Sequence, residues 1–170
     1  MLEPGAAYST VAWKPAGLDD ATLWVSLTRR SADQIAFESE EEQIARFTDE
    51  VAHLPACHYI LWLDENPIGR LRFFLNDSIA VLDELALLPE AGGGVAAQVV
   101  SEALVRAAAS DVRHLNATYP AAYIASFASA GFRELRRRTN MVASTDVSFP
   151  LPPLPTSLRV RMMLSGEGEQ

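Results

Sequence analysis

This chain of 170 residues has one cysteine, Cys57, and one lysine, Lys14. A lone cysteine excludes an internal disulfide and fits a reducing compartment, so a cytoplasmic location is expected. No apolar run approaches the roughly 18 residues that a membrane-crossing helix requires. The opening MLEPGAAYST lacks the basic and apolar regions of a secretory leader. Basic residues are also scarce, 14 against 22 acidic, for a formal net charge of −8. That balance disfavours nucleic acid as a partner and favours cationic ligands such as amines. His53, Cys57 and His58 are not joined by a second Cys/His cluster, so no metal site is expected.

An ordinary globular composition is present, 49% hydrophobic and 21% charged, in a length suited to one domain with a single substantial core. One domain is expected over residues 8–164, with 165–170 as a tail. The most informative stretch is Val81 to Ala109, VLDELALLPEAGGGVAAQVVSEALVRAAA. Its first part is apolar except for Asp83 and Glu84, and Pro89 ends it, because proline cannot donate to a sheet ladder. Gly92, Gly93 and Gly94 then form a turn. From Val95 onward Val95, Val99, Ala103 and Ala107 recur every fourth residue, which is helical spacing. Strand, glycine turn, helix is an arrangement that can hold an anion: glycine backbone N–H groups and the helix N-terminus supply donors without any basic side chain. A purely structural connection has the same pattern. The absence of a Lys-Ser/Thr pair after the glycines excludes a P-loop, and position 97 is Ala where a dinucleotide fingerprint requires Gly.

Around that unit the pattern predicts a strand over Thr10–Pro15 and a helix opened by Asp19 and Asp20, with Leu23, Trp24 and Leu27 on its apolar side. A second helix is expected over Ser39–Leu54, with a Ser39-x-x-Glu42 capping box and Ile44, Phe47 and Val51 facing inward. His58–Leu63 and Ile68–Leu75 read as a hairpin turning at Asp64–Pro67. A further strand over Val112–Ala117 precedes a helix from Pro120 to Ala130 with Gly131 as C-cap. A strand from Phe132, a proline-rich connector and a last strand over Ser157–Leu164 complete the pattern. The fold class is α+β: a mixed, mostly antiparallel, twisted sheet flanked by helices.

The element order and two separated motifs resemble the GCN5-related N-acetyltransferases (GNAT). That family reads strand, Pro-Glu, then R/Q-x-x-G-x-G/A at a helix start. Here Pro89-Glu90 leads to Gly94 and Ala96 in the final Gly-x-Ala, with Ala91 where Arg or Gln is usual. The second motif is a short helix with an aromatic residue four before a Gly-Phe pair, here Phe127, Gly131 and Phe132. The proline-rich tail also resembles the linker of tandem GNAT proteins.

The resemblance implies acetyl transfer from acetyl-CoA to an amine, without a metal. Leu85, Ala86 and Leu87 would pair with the pantetheine arm. Gly92, Gly93, Gly94, Val95, Ala96 and Ala97 would hold the pyrophosphate, and Phe127 would pack against the cofactor. The amine must lose a proton, so an acceptor is needed. Strand alternation puts Asp83 on the face of Leu85 and Leu87, and Glu84 on that of Ala86. The resemblance, which implies an acidic residue near this position in contact with the substrate amine, makes Asp83 the favoured base or amine anchor. The competing role for both carboxylates is an ion pair with Arg70 or Arg72. Tyr119 and Tyr123 are candidates for a proton-donating hydroxyl. The partners implied are acetyl-CoA and a small-molecule or peptide amine, with a homodimer left open. The rival from another class is a non-catalytic acyl-CoA-binding or protein-interaction module.

Overall fold

Four antiparallel strands and one parallel strand make the sheet, in the order β1-β2-β3-β4-β5. They are β1 (Val11–Pro15), β2 (His58–Leu63), β3 (Asn66–Asn76), β4 (Ile79–Leu87) and β5 (His114–Ala117). The helices are α1 (Ala21–Arg30), α2 (Glu40–His53), α3 (Gly93–Ala109) and α4 (Ile124–Ser129). The computed structural model describes residues 10–31, 38–54, 56–76, 78–110 and 112–135. Every one of these elements belongs to a unit that ends at Arg133. The last strand expected over Ser157–Leu164, the tail from 165, and the ends of the expected 8–164 domain lie outside the described residues. Of the strand expected from Phe132, residues 132–135 have no regular structure and the remainder is likewise outside.

Local sequence explains most of the elements. Ser39 Oγ accepts the Glu42 N–H at 3.2 Å, and the Glu42 carboxylate accepts the Ser39 N–H at 2.7 Å, closing the expected capping box. Asp19 and Asp20 form a short 3-10 turn before α1, in which Asp20 accepts the Gly17 N–H at 2.8 Å. Gly131 (φ 90°) stops α4: its N–H donates to Ala128 O and Phe132 N–H donates to Phe127 O, a Schellman pair. The β2–β3 turn is tighter than expected. Asp64 (φ 55°) takes the left-handed position, and Pro67 lies inside β3 opposite Trp62, at a register shift that absorbs its missing donor.

Two cores form, one on each side of the sheet. Leu61, Leu71, Phe73, Leu82, Leu85 and Leu87 pack with Val95, Val99 and Val100 of α3 and with Phe127 of α4. On the other side Trp24, Val25 and Leu27 of α1 pack with Phe47 of α2, Ile60 and Leu88. Within the second core the Trp24 and Phe47 rings stack 4.8 Å apart.

Candidate functional site

The sheet opens at β4. This strand pairs with β5 only from Ile79↔His114 to Leu82↔Ala117. The Thr118 N–H donates to Leu82 O at 2.9 Å, and there the two chains part. Asp83 to Leu87 therefore run on with no β5 partner among the described residues. The Leu87 N–H faces the opening, where it donates to the Tyr123 hydroxyl at 3.3 Å. Leu85, two residues earlier on the strand, presents its backbone to the same edge. The side chains of Leu85, Ala86 and Leu87 are buried, so only their backbone groups are on offer to a ligand.

A bulge sits at the same place. Arg72 pairs with Asp83 but Arg70 pairs with Ala86, so two residues of β4, Glu84 and Leu85, oppose the single Leu71. Glu84 takes up the irregularity with φ 51°, left-handed for a non-glycine residue. The bulge overturns the expected alternation. Asp83 points to the side of Arg70 and Arg72, whereas Leu85 and Leu87 point into the α3 core. Glu84 reaches the same arginines, so the two carboxylates share a side.

Both carboxylates are paired there. Arg72 grips Asp83 with two hydrogen bonds of 2.9 Å, one to each carboxylate oxygen. Arg70, 3% exposed, donates to Glu84 Oε2 at 2.9 Å, Glu84 O at 3.2 Å and Thr28 Oγ1 at 2.5 Å, and lies over the Trp24 ring. Burial pushes the Arg70 guanidinium below its ordinary value, and Glu84 opposes the shift. The hydrogen bonds to Asp83 hold Arg72 above the usual range. Glu50 of α2 lies farther off, 3.7 Å from Arg72 and 3.4 Å from His58 Nε2. Burial lowers the His58 pKa although Glu50 pulls it the other way, and burial raises the Cys57 thiol. Among the described residues no group of three His, Cys, Asp or Glu could hold a metal ion.

The glycine segment is shorter as a turn than the sequence suggests. Pro89–Ala91 make a 3-10 turn, Gly92 alone takes a positive φ of 78°, and α3 already begins at Gly93. Gly93 and Gly94 are thus first-turn helix residues, whose N–H groups have no acceptor one turn back. A Cβ placed on Gly92 or Gly94 would meet nothing within 4 Å, so open space lies in front of both. Val95 and Ala96 turn their side chains into the core, while Ala97 is exposed.

Phe127 corrects a further expectation. It is 1% exposed and stacked on Tyr119 at 3.8 Å, with Phe132 edge-on at 5.1 Å, so its ring is part of the core and does not line the opening. Two residues escape the sequence reading. Gly69 has no room for a side chain: a Cβ would lie 2.5 Å from Ala86 O. Gln43 is 5% exposed, on the inward side of α2 beside Phe47 and Glu50. A glutamine four residues before Phe47 and seven before Glu50 is the available signal for it, because that spacing puts all three on one helix side.

No protein-family model and no curated protein matches the sequence. Solved structures do match. A predicted acetyltransferase from Clostridium acetobutylicum, solved with acetyl-CoA, aligns over 78% of this chain and 96% of its own at 13% identity and a TM-score of 0.56. An acetyltransferase from Thermus thermophilus aligns over 73% and 87% at 23% identity and 0.57. The aminoglycoside N-acetyltransferase AAC(6')-Iy, solved with CoA, aligns over 84% and 99% at 16% identity and 0.54. The chain has the GNAT fold. At these identities the likeness concerns the GNAT fold alone, and activity has to be argued from the site. No helix among the described residues is long and apolar enough to cross a membrane.

Proposed function

We propose that the protein is an N-acetyltransferase that moves an acetyl group from acetyl-CoA to a primary amine of a cationic substrate. The observation that carries this reading is the opening of β4 from β5 beyond Leu82, directly followed by a small-residue helix start with open space at Gly92 and Gly94. An acyl-CoA fits both features. The backbone of Leu85 and Leu87 offers sheet-like hydrogen bonds to an amide-bearing arm. The N–H groups at the start of α3 offer donors to phosphates. Solved GNAT-fold neighbours with CoA or acetyl-CoA bound support the donor.

In the reaction the amine nitrogen attacks the acetyl carbonyl, the carbon–sulfur bond breaks, the thiolate leaves and takes up a proton, and the amine loses one. Of the two carboxylates, Glu84 is the better amine anchor and proton acceptor, since Asp83 has both oxygens on Arg72 whereas Glu84 lines a pocket beside β4. Asp83 then acts as a positioning residue through Arg72. Tyr123, whose hydroxyl already lies at the Leu87 edge, is the candidate donor to the thiolate.

The arginine grip on both carboxylates and the Ala91 at the usual basic position favour the second reading, a non-catalytic acyl-CoA-binding or protein-interaction module. Thiol release from acetyl-CoA across an amine panel separates the two. Glu84→Gln is expected to lower kcat about a hundredfold, within the range typical of a general base, with acetyl-CoA affinity unchanged; Asp83→Asn should have the smaller effect. Tight acetyl-CoA binding without turnover on any amine would leave the module reading.

A further inference from the structure

The segment from Pro89 to Gly94 that leads into α3 carries one charged side chain, and its sign is wrong for a phosphate. Between Arg72 and Arg106 the chain has no lysine or arginine, so Gly92 to Gly94 offer backbone donors alone. Glu90 lies two residues before Gly92, at most about 7 Å from it between Cα atoms, and puts a carboxylate beside those donors. The formal net charge of −8 adds a general repulsion of anions. A phosphate-bearing donor therefore needs a local cation from another element.

The end of α1 brings one. Leu27 of α1 and Leu88, the residue just before the turn, share the core on the α1–α2 side of the sheet. Arg30 follows Leu27 by three residues and so stands on the same side of the helix. Its Nη2 donates to Glu90 Oε1 at 2.7 Å. Both side chains are more than half exposed, 57% for Arg30 and 58% for Glu90, so a ligand can reach them. Among the described residues this is the one contact of the Arg30 side chain, and a guanidinium has five N–H donors. An exposed pair adds little to stability, and the buried Leu27 already fixes α1 in place.

We propose that Arg30 is a phosphate-binding residue of the donor site: Glu90 holds it at the turn, and its remaining N–H groups contact a phosphate of acyl-CoA seated on the backbone donors at the start of α3. Glu90 is then a tether that orients the guanidinium, and the pair cancels the charge that would repel the ligand. The inference deepens the acyl-CoA reading of this turn and rests on it.

The test is calorimetric titration of acetyl-CoA into the full chain at low salt. Arg30→Gln should weaken binding about tenfold, as the loss of a hydrogen bond between charged groups does, with Tm unchanged. The deficit should shrink as salt is raised. Acetyl-pantetheine, which has the same arm and no phosphate, should bind wild type and Arg30→Gln alike. The double variant Arg30→Gln, Glu90→Gln separates direct contact from mere neutralisation of Glu90, and it should remain weaker than wild type. Wild-type affinity in the double variant overturns the proposal, as does equal acetyl-CoA affinity in wild type and Arg30→Gln, or a parallel loss of acetyl-pantetheine. In each of these cases acetyl-CoA still binds the wild-type protein and the donor site stands. A wild-type protein that does not bind acetyl-CoA overturns the donor site, and this inference with it.

Discussion

The two sides of the sheet solve the packing problem differently. Towards α3 and α4, β3 and β4 present Leu71, Phe73, Leu82, Leu85 and Leu87, and the core they join there is apolar and aromatic. Towards α1 and α2 the same strands present Arg70, Arg72, Asp83 and Glu84, which satisfy one another and Thr28. An apolar side tolerates one loss at a time, each costing the removed surface and the cavity left behind. A buried ionic side fails collectively, because a removed partner leaves a charge with nothing to neutralise it. Both sides belong to one strand, and the bulge at Glu84 aligns both acids with the arginines.

The largest stability effect is expected at the centre of the ionic side. Arg70→Met should destabilise by about 3 kcal/mol, since Glu84 is left without its short partner in a mostly buried position. Adding Glu84→Met should recover most of that loss. Leu71→Ala, one residue along on the other side, should also cost about 3 kcal/mol, but a second truncation there should only add to it. Urea unfolding of the four variants checks this. An Arg70→Met loss below about 1 kcal/mol would erase the distinction between the two sides.

Next comes the contact that holds the strands at the bulge. Gly69→Ala puts a Cβ 2.5 Å from Ala86 O and 2.8 Å from the Leu87 side chain, so β4 must move. A loss of about 2 kcal/mol is expected, with weaker acetyl-CoA binding because the Leu87 edge shifts with it. Calorimetry on the folded fraction reads both. Unchanged stability would mean that the strand separation at Gly69 is not limiting.

A pH scan should distinguish the sides with a smaller effect. His58 is buried against Trp24 and Phe47, and its folded pKa lies below its unfolded value of 6.5. The unfolded chain therefore binds the proton first, so this group's contribution is present above about pH 6.5 and is lost as pH falls below it. Tm should drop between pH 7.5 and 5.5, and His58→Phe should flatten that drop. Identical slopes in the two proteins would show that Glu50 cancels the burial effect.

Much of this can be read from the chain, and what cannot shares one cause. Periodicity places the strands, and capping chemistry at Ser39 and Gly131 places helix ends, because both depend on neighbours in sequence. Alternation puts Asp83 on the opposite side from the one it takes, because it assumes an unbroken ladder, and Glu84 carries no mark of the left-handed backbone it adopts. The competing role expected for the two acids, pairing with Arg70 and Arg72, is the one observed. Phe127 fits a cofactor motif and a helix core equally well in sequence; only its stacking on Tyr119 puts it in the core. Gly69 gains its meaning from a residue far along the chain, Ala86, about which local pattern is silent, whereas helical spacing marks only the side of α2 on which Gln43 lies.

The smallest stability effect belongs to the substitution with the largest expected effect on binding. Gly94→Val adds a side chain in the first turn of α3, where a Cβ meets nothing within 4 Å. Valine is slightly preferred to glycine in a helix, so stability should change by no more than about 0.5 kcal/mol. The same branched side chain would occupy the space in front of the helix N–H groups, which is where phosphates have to approach if those donors hold them. Acetyl-CoA affinity should therefore fall at least about tenfold, 1.4 kcal/mol or more, while Tm stays within error. Val105→Ala, at an exposed position near the other end of the same helix, should leave both unchanged. Undiminished affinity in Gly94→Val would move the phosphate site away from the start of α3, and with it the assignment of Gly92 to Ala97. A large fall in Tm would instead mean that the space before Gly94 is already used by the protein.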